Sequence, residues 1–167
     1  CSPLDWSSSF EFRAATLKQF NPLPYLLQLL MEVHGLRTQG PVIHAVLGEL
    51  YSNALEHGVL GLDSRLKRGN DGYVRYYQQR RERLAALQNG FVRVSLQVEQ
   101  VGEGGRLIIQ VEDSGEGFDV ARVMARPLDL DRLSGRGVSL VRQLCPAARW
   151  GADGRSATVE FSWGPLA

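Results

Sequence analysis

Three short stretches of the chain hold residue types whose spacing suits chemistry. In Glu-Leu-Tyr-Ser-Asn-Ala-Leu-Glu-His-Gly, Glu49, Asn53 and His57 fall four residues apart, so on a helix they stack along one face. A carboxylate, an amide and an imidazole on one stripe is an unusual surface for a helix whose other positions are apolar. The plainer alternative is a solvated polar face. Asn has poor propensity inside a helix, so tertiary context or function should be retaining it. The second stretch, Val-Glu-Asp-Ser-Gly-Glu-Gly-Phe, follows an alternating run. Asp113 followed by Gly115 and Gly117 makes a turn where backbone can approach a ligand closely and one carboxylate points into the space so made. Many strand-to-loop turns look the same. The third is Ser-Gly-Arg-Gly-Val-Ser-Leu-Val, in which Gly135, Arg136 and Gly137 open a helix. Unpaired N–H groups and the positive end of the helix dipole make such a start a natural phosphate site. It lacks the Gly-Lys-Ser/Thr of a P-loop, and no βαβ unit surrounds it as a dinucleotide fingerprint requires.

The elements around these stretches alternate in character. Residues 10–14 and 91–99, 106–112, 147–151 and 156–163 read as strands, the second and third forming an antiparallel hairpin after the Asn89-Gly90 turn signal. Residues 25–36 read as a buried, Leu-rich helix, and Pro41 opens the helix that carries Glu49 and Asn53, with Gly58 as its C-cap. Residues 73–87 form a further helix with Arg75, Arg80, Arg81 and Arg83, and residues 137–144 a short one. This order predicts a single α+β domain, a two-layer sandwich with a mixed, mostly antiparallel sheet covered by helices on one face.

Composition sets the outer bounds. The 167 residues suffice for one domain with a real core, and 44% apolar with 22% charged residues is globular usage. Nineteen basic residues against 18 acidic ones argue against a general nucleic-acid binder. Two cysteines exclude a disulfide scaffold and point to a reducing compartment. No apolar run nears the roughly 18 residues that span a bilayer. The opening Cys-Ser-Pro-Leu-Asp-Trp reads as a cut inside a longer protein.

Taken together and in this order, the three stretches resemble the N box, the Asp-x-Gly-x-Gly box and the glycine box of the GHKL (histidine-kinase-like) ATPase superfamily, across residues 7–163. The form Glu-x-x-x-Asn-Ala-x-x-His-Gly is similar to the anti-sigma-factor serine kinases. The following Gly-Val-Leu-Gly-Leu-Asp-Ser-Arg-Leu-Lys resembles a subgroup fused behind a response-regulator receiver and a PP2C-like phosphatase. The resemblance implies ATP and Mg²⁺ as cofactors. Asn53 would coordinate the metal, an oxygen ligand of the kind Mg²⁺ prefers. Glu49 would be the general base, and Asp113 would accept from the adenine amino group beside Gly115 and Gly117. Gly135, Arg136 and Gly137 would border the phosphates, and Thr158 would place a hydroxyl near the adenine. His57 matches a position near the nucleotide, with a capping or packing role equally open. Residues 59–90 form a helical insertion beyond the family core. Its Tyr73, Tyr76 and Tyr77 beside arginines form either a docking face or an ordinary amphipathic packing face. The resemblance makes the stretch between Gly117 and Ser134 an ATP lid, and Arg126, Arg132 and Arg136 lie in or beside it, where a solvated loop arginine is the plainer alternative.

The expected function is a cytoplasmic, Mg·ATP-dependent protein serine kinase acting on a small anti-anti-sigma-factor-like (STAS-fold) protein in bacterial partner switching. A nucleotide-gated module that binds a sigma or anti-sigma factor, with little or no catalysis, is the alternative. Neither nucleic acid nor membrane is an expected partner, and the resemblance allows a homodimer. A sensor-histidine-kinase fragment is disfavoured, because the stretch before the N box is too short for a dimerising histidine helix pair plus the first strand.

Overall fold

Alternation of apolar and polar residues builds the sheet. In the computed structural model, which describes residues 5–67, 69–115 and 136–164, the strands are β1 (Trp6–Arg13), β2 (Phe91–Val101), β3 (Gly104–Asp113), β4 (Arg149–Trp150) and β5 (Ser156–Trp163). They lie in the order β1-β2-β3-β5-β4, and every pairing is antiparallel. The sheet is therefore not mixed. β3 and β4 do run in the same direction, but β5 lies between them, so no parallel ladder forms. Val92, Val94, Leu96, Leu107, Ile109, Val111, Val159 and Phe161 send their side chains to one buried face. Their neighbours along each strand carry the charges of the other face, which no described helix covers.

The helices supply the second layer. They are α1 (Ala14–Gln19), α2 (Leu23–Met31), α3 (Gly40–Ser52), α4 (Gly72–Ala85) and α5 (Arg136–Leu144). Leu26, Leu30, Ile43, Val46, Leu47 and Val141 are fully buried in the same core as the inner strand residues. The predicted single helix over 25–36 is instead α2 followed, after an extended Val33, by a 3-10 turn at His34–Gln39. The Arg37 guanidinium donates to the Met31 carbonyl at 2.8 Å, satisfying the end of α2. At Gly35 a Cβ would fall 2.1 Å from the Trp163 indole, so the break makes room for the end of β5. β1 begins earlier than expected, because Ser7 and Ser9 occupy outward positions that tolerate polar side chains.

The largest local departure lies in the N-box helix itself. α3 does not stop at a glycine cap; it continues as a π-helical segment, Asn53–Val59. The Leu60 amide donates to the Leu55 carbonyl at 2.8 Å, the i to i−5 bond of that geometry. Gly58 has no left-handed backbone; Gly61, three residues on, takes φ 62°. The insertion after it holds a 3-10 turn, Ser64–Lys67, and then α4.

Candidate functional site

The wide turn at Asn53–Val59 packs against β2 and β3, and that contact brings the first two motifs together. A Cβ at Gly58 would stand 2.4 Å from the Asp113 carboxyl, and one at Gly115 would stand 2.2 Å from the Gly58 carbonyl oxygen. A Cβ at Gly115 would run into backbone, and one at Gly58 would displace the Asp113 carboxyl. The result is a wall of bare backbone with one carboxylate in it, built from residues 55 apart in sequence at Gly58 and Asp113.

Asp113 ends β3 opposite the buried Val92, so the pleat turns it toward the helix layer. Its amide donates to the Arg155 carbonyl at 2.9 Å, and its Oδ1 accepts from the Gly115 amide at 2.8 Å. Burial pushes its pKa up to about 6, against the smaller opposing effects of the Gly115 amide and Arg155. Glu49 sits on α3 one turn before Asn53, whose amide donates to the Glu49 carbonyl. Both side chains are half-buried. Burial also raises the Glu49 pKa; Lys67 acts to lower it and Glu56 to raise it further. A carboxyl group with raised proton affinity is suited to a base.

His57 has a definite partner in the chain. Its Nδ1 lies 2.7 Å from the Leu62 carbonyl, which can only accept, so Nδ1 carries the proton. This favours the capping role left open from the sequence, since the ring ties the π turn to the loop after it. Glu56 is the residue that spacing did not single out. It is 14% exposed, accepts a 2.5 Å hydrogen bond from the Tyr76 hydroxyl, and lies 3.6 Å from Arg80. Lys67 Nζ stands 4.4 Å from the centre of the Tyr76 ring. The signal was present in the sequence as a Tyr and an Arg one turn apart on α4, but nothing in that spacing names the carboxylate they meet.

Thr158 is not brought to the site. It pairs with Gln110 on β3, while its neighbours Ala157 and Val159 face the core, so its side chain lies on the outer face of the sheet. The inward position next to it, opposite Val111, is held by Ala157. The expectation of a hydroxyl beside the adenine therefore fails by one residue of register, which on a strand is a change of face. Gly117, Gly135, Arg126 and Arg132 lie outside the described residues. Arg136 and Gly137 form the first turn of α5, which packs beside α3. On α4 the three tyrosines divide. Tyr76 is fully buried, whereas Tyr73 and Tyr77 are 43% and 52% exposed.

Among the described residues no three His, Cys, Asp or Glu side chains are grouped to hold a metal. Mg²⁺ held by one amide oxygen, phosphates and waters does not need such a group. The glycine-lined wall, the half-buried carboxylates and the amide of Asn53 are compatible in donor chemistry with a Mg-nucleotide. No described helix is long and apolar enough to cross a membrane. No family model matches the chain, and no curated protein matches it.

Proposed function

We propose that this chain is a GHKL-type ATPase domain acting as a cytoplasmic Mg·ATP-dependent protein serine kinase, with a small STAS-fold protein as its substrate. The observation that carries the reading is the seating of Gly58 on Asp113. It joins the helix bearing Glu49 and Asn53 to the Asp-x-Gly turn, as a single nucleotide site requires. When bound, Mg·ATP supplies the phosphoryl group and its charge neutralisation. Positioning and electrostatics then account for most of what the protein must do.

Each residue has a task fitted to its surroundings. Glu49 takes the proton from the substrate serine hydroxyl, and its desolvated carboxyl raises its affinity for that proton. Asn53 offers a neutral oxygen to the metal. Asp113 accepts from the adenine amino group. The N–H groups opening α5 would border the phosphates, where helix polarity favours negative charge. His57 holds the π turn in shape through Leu62. The alternative, a nucleotide-gated binding module, draws support from the exposed Tyr73, Val74 and Tyr77 on α4, an apolar surface suited to a partner.

The test is phosphoryl transfer from [γ-³²P]ATP with Mg²⁺ to candidate STAS-fold proteins. Label should appear on a partner serine. Glu49→Ala should abolish transfer while nucleotide binding survives, and Asn53→Ala should weaken Mg²⁺-dependent binding. Transfer at the wild-type rate by Glu49→Ala would remove the base assignment. ATP-dependent partner binding without label would favour the gated module.

A further inference from the structure

The inner and outer sides of α4 differ in character. Inward, Tyr76 is fully buried and its hydroxyl donates to Glu56, while the Arg83 guanidinium donates to the carbonyls of Leu60 and Gly61 at 2.9 and 2.8 Å. Those contacts fix the helix to the domain. Outward, spacings of three, four and seven residues gather Tyr73, Val74, Tyr77 and Arg81 on one stripe. Val74 is 68% exposed, the most of any large apolar side chain among the described residues, and both tyrosines lie open beside it.

We propose that this stripe is a docking surface for an acidic, partly apolar segment of another protein. Charge complementarity selects that occupant. α4 carries four arginines against one glutamate, whereas the rest of the chain holds 15 basic residues and 17 acidic ones. Glu82, the single acid of the helix, is engaged by Gln78 at 3.3 Å and not by an arginine. Among the described residues no carboxylate pairs with Arg75 or Arg81, in contrast to Arg13, Arg93 and Arg106 on the sheet. Arg81 is exposed at the C-terminal end of the stripe. The apolar part is arranged in advance. The Tyr77 ring meets the buried Tyr76 edge to face, with 5.7 Å between centres and 88° between planes, so it has little rotamer freedom to lose on binding. Tyrosine and arginine are also the residue types that anchor protein interfaces. Two other anionic occupants fit less well. A bilayer takes Trp, Phe or Leu into its acyl boundary, and this stripe offers two tyrosines and one valine. A long polyanion such as nucleic acid would run onto a chain that is acidic on balance outside α4, whereas a short acidic segment meets α4 alone. Docking here needs no nucleotide, so it stands or falls apart from the kinase reading.

The experiment titrates the whole chain, without nucleotide, into a fluorescent helical peptide about 20 residues long, with leucines on one face and glutamates elsewhere, and follows anisotropy. The same peptide with lysine in place of glutamate, phosphatidylserine vesicles and a single-stranded oligonucleotide are the comparison probes. The acidic peptide should bind, the lysine peptide should not, and added salt should weaken the binding. Arg81→Glu should lower the affinity about tenfold, and Tyr77→Ser by a similar factor. Arg106→Met, on the outer sheet face, should leave peptide binding unchanged, and thermal unfolding should show each variant folded at the titration temperature. In the wild-type chain, amide NMR shifts on adding the acidic peptide should centre on residues 73–81, a readout that needs no variant to fold. Equal binding of both peptides, shifts centred elsewhere, or binding that Arg81→Glu leaves intact would overturn the proposal, as would no binding at all. Vesicles or oligonucleotide bound more tightly than the acidic peptide, and in an Arg81-dependent way, would overturn it in favour of that other class of partner.

Discussion

The two faces of the sheet treat carboxylates in opposite ways. On the outer face Glu11 meets Arg13 at 2.8 Å and Arg93 at 2.6 Å, and Arg93 also holds Glu112 at 2.7 Å. Arg106 likewise joins Glu99 at 2.5 Å and Glu160 at 3.3 Å across three strands. The arginine hydrogen bonds hold the Glu11 carboxyl below its usual range. On the helix side, Glu49 and Asp113 are pushed the other way by burial, and the cations acting on them only partly offset it. Three arginines, Arg13, Arg93 and Arg106, make these pairs on the outer face, where exposed pairing contributes little to stability. The half-buried carboxylates are left under-compensated, an arrangement that costs stability and keeps a group ready to change its protonation or accept a ligand.

Glu56 is the inner carboxylate that does have close partners, and removing them gives the largest expected effect. Tyr76→Ala empties a fully buried aromatic position and strips the hydroxyl from Glu56. A loss of about 3–5 kcal/mol is expected from the cavity. Tyr76→Phe keeps the volume and leaves the carboxylate short of one donor, for about 1–3 kcal/mol. Urea denaturation measures both. If the two variants lost the same amount, the hydroxyl would be the main contributor and packing a minor one.

A smaller effect separates the two glycines of the backbone wall. Gly115→Ala sets a Cβ against the Gly58 carbonyl, backbone that has little freedom to move, and should cost about 1–3 kcal/mol. Gly58→Ala sets its Cβ against the Asp113 carboxyl, a side chain that can rotate away. That variant should retain more of its stability than Gly115→Ala, yet lose nucleotide binding because Asp113 is displaced. Equal stability with intact binding in both would show that the wall is looser than its geometry indicates.

These glycines also show how much the sequence disclosed. The α+β class, the β2–β3 hairpin, the helix bearing Glu49 and Asn53, and the insertion helix were all legible from hydrophobic period and turn residues. The position of Gly58 was legible but its reason was not, because a C-cap and a close approach look identical until the partner strand is placed. The π turn was invisible, since its wider spacing leaves the four-residue pattern of Glu49, Asn53 and His57 unchanged in the sequence. Thr158 failed for a different reason. Alternation tells which residues share a face of a strand, but only the ladder with Gln110 and Arg149 tells which face is inward at a given residue. Gly117 and Gly135 lie outside the described residues, so the glycine box rests on its motif.

The smallest expected effect is also the most direct test of the contrast between faces, because the two kinds of carboxylate give pH slopes of opposite sign. Asp113 has a folded pKa of about 6, above its unfolded value, so between about pH 4 and 6 the folded chain binds the extra proton. Stability contributed at that position therefore falls as pH rises through this window, and it stays low above it. Glu11 has a folded pKa below its unfolded value, so its contribution is full above the usual glutamate range and is lost as pH falls. Asp113→Asn, which keeps an oxygen for the Gly115 amide, should raise the melting temperature at pH 7 and leave it little changed near pH 4. Arg93→Met should do the reverse in pH and on a smaller scale, making the acid loss shallower, and added salt should shrink its effect because the pair is exposed. Thermal scans from about pH 2 to 7 at low and high salt measure both variants, the Asp113 window lying above about pH 4 and the Glu11 window below it. If Asp113→Asn left the slope unchanged, the Asp113 carboxyl would be solvated in the folded chain, and the inner face would not differ from the outer one in how it holds charge.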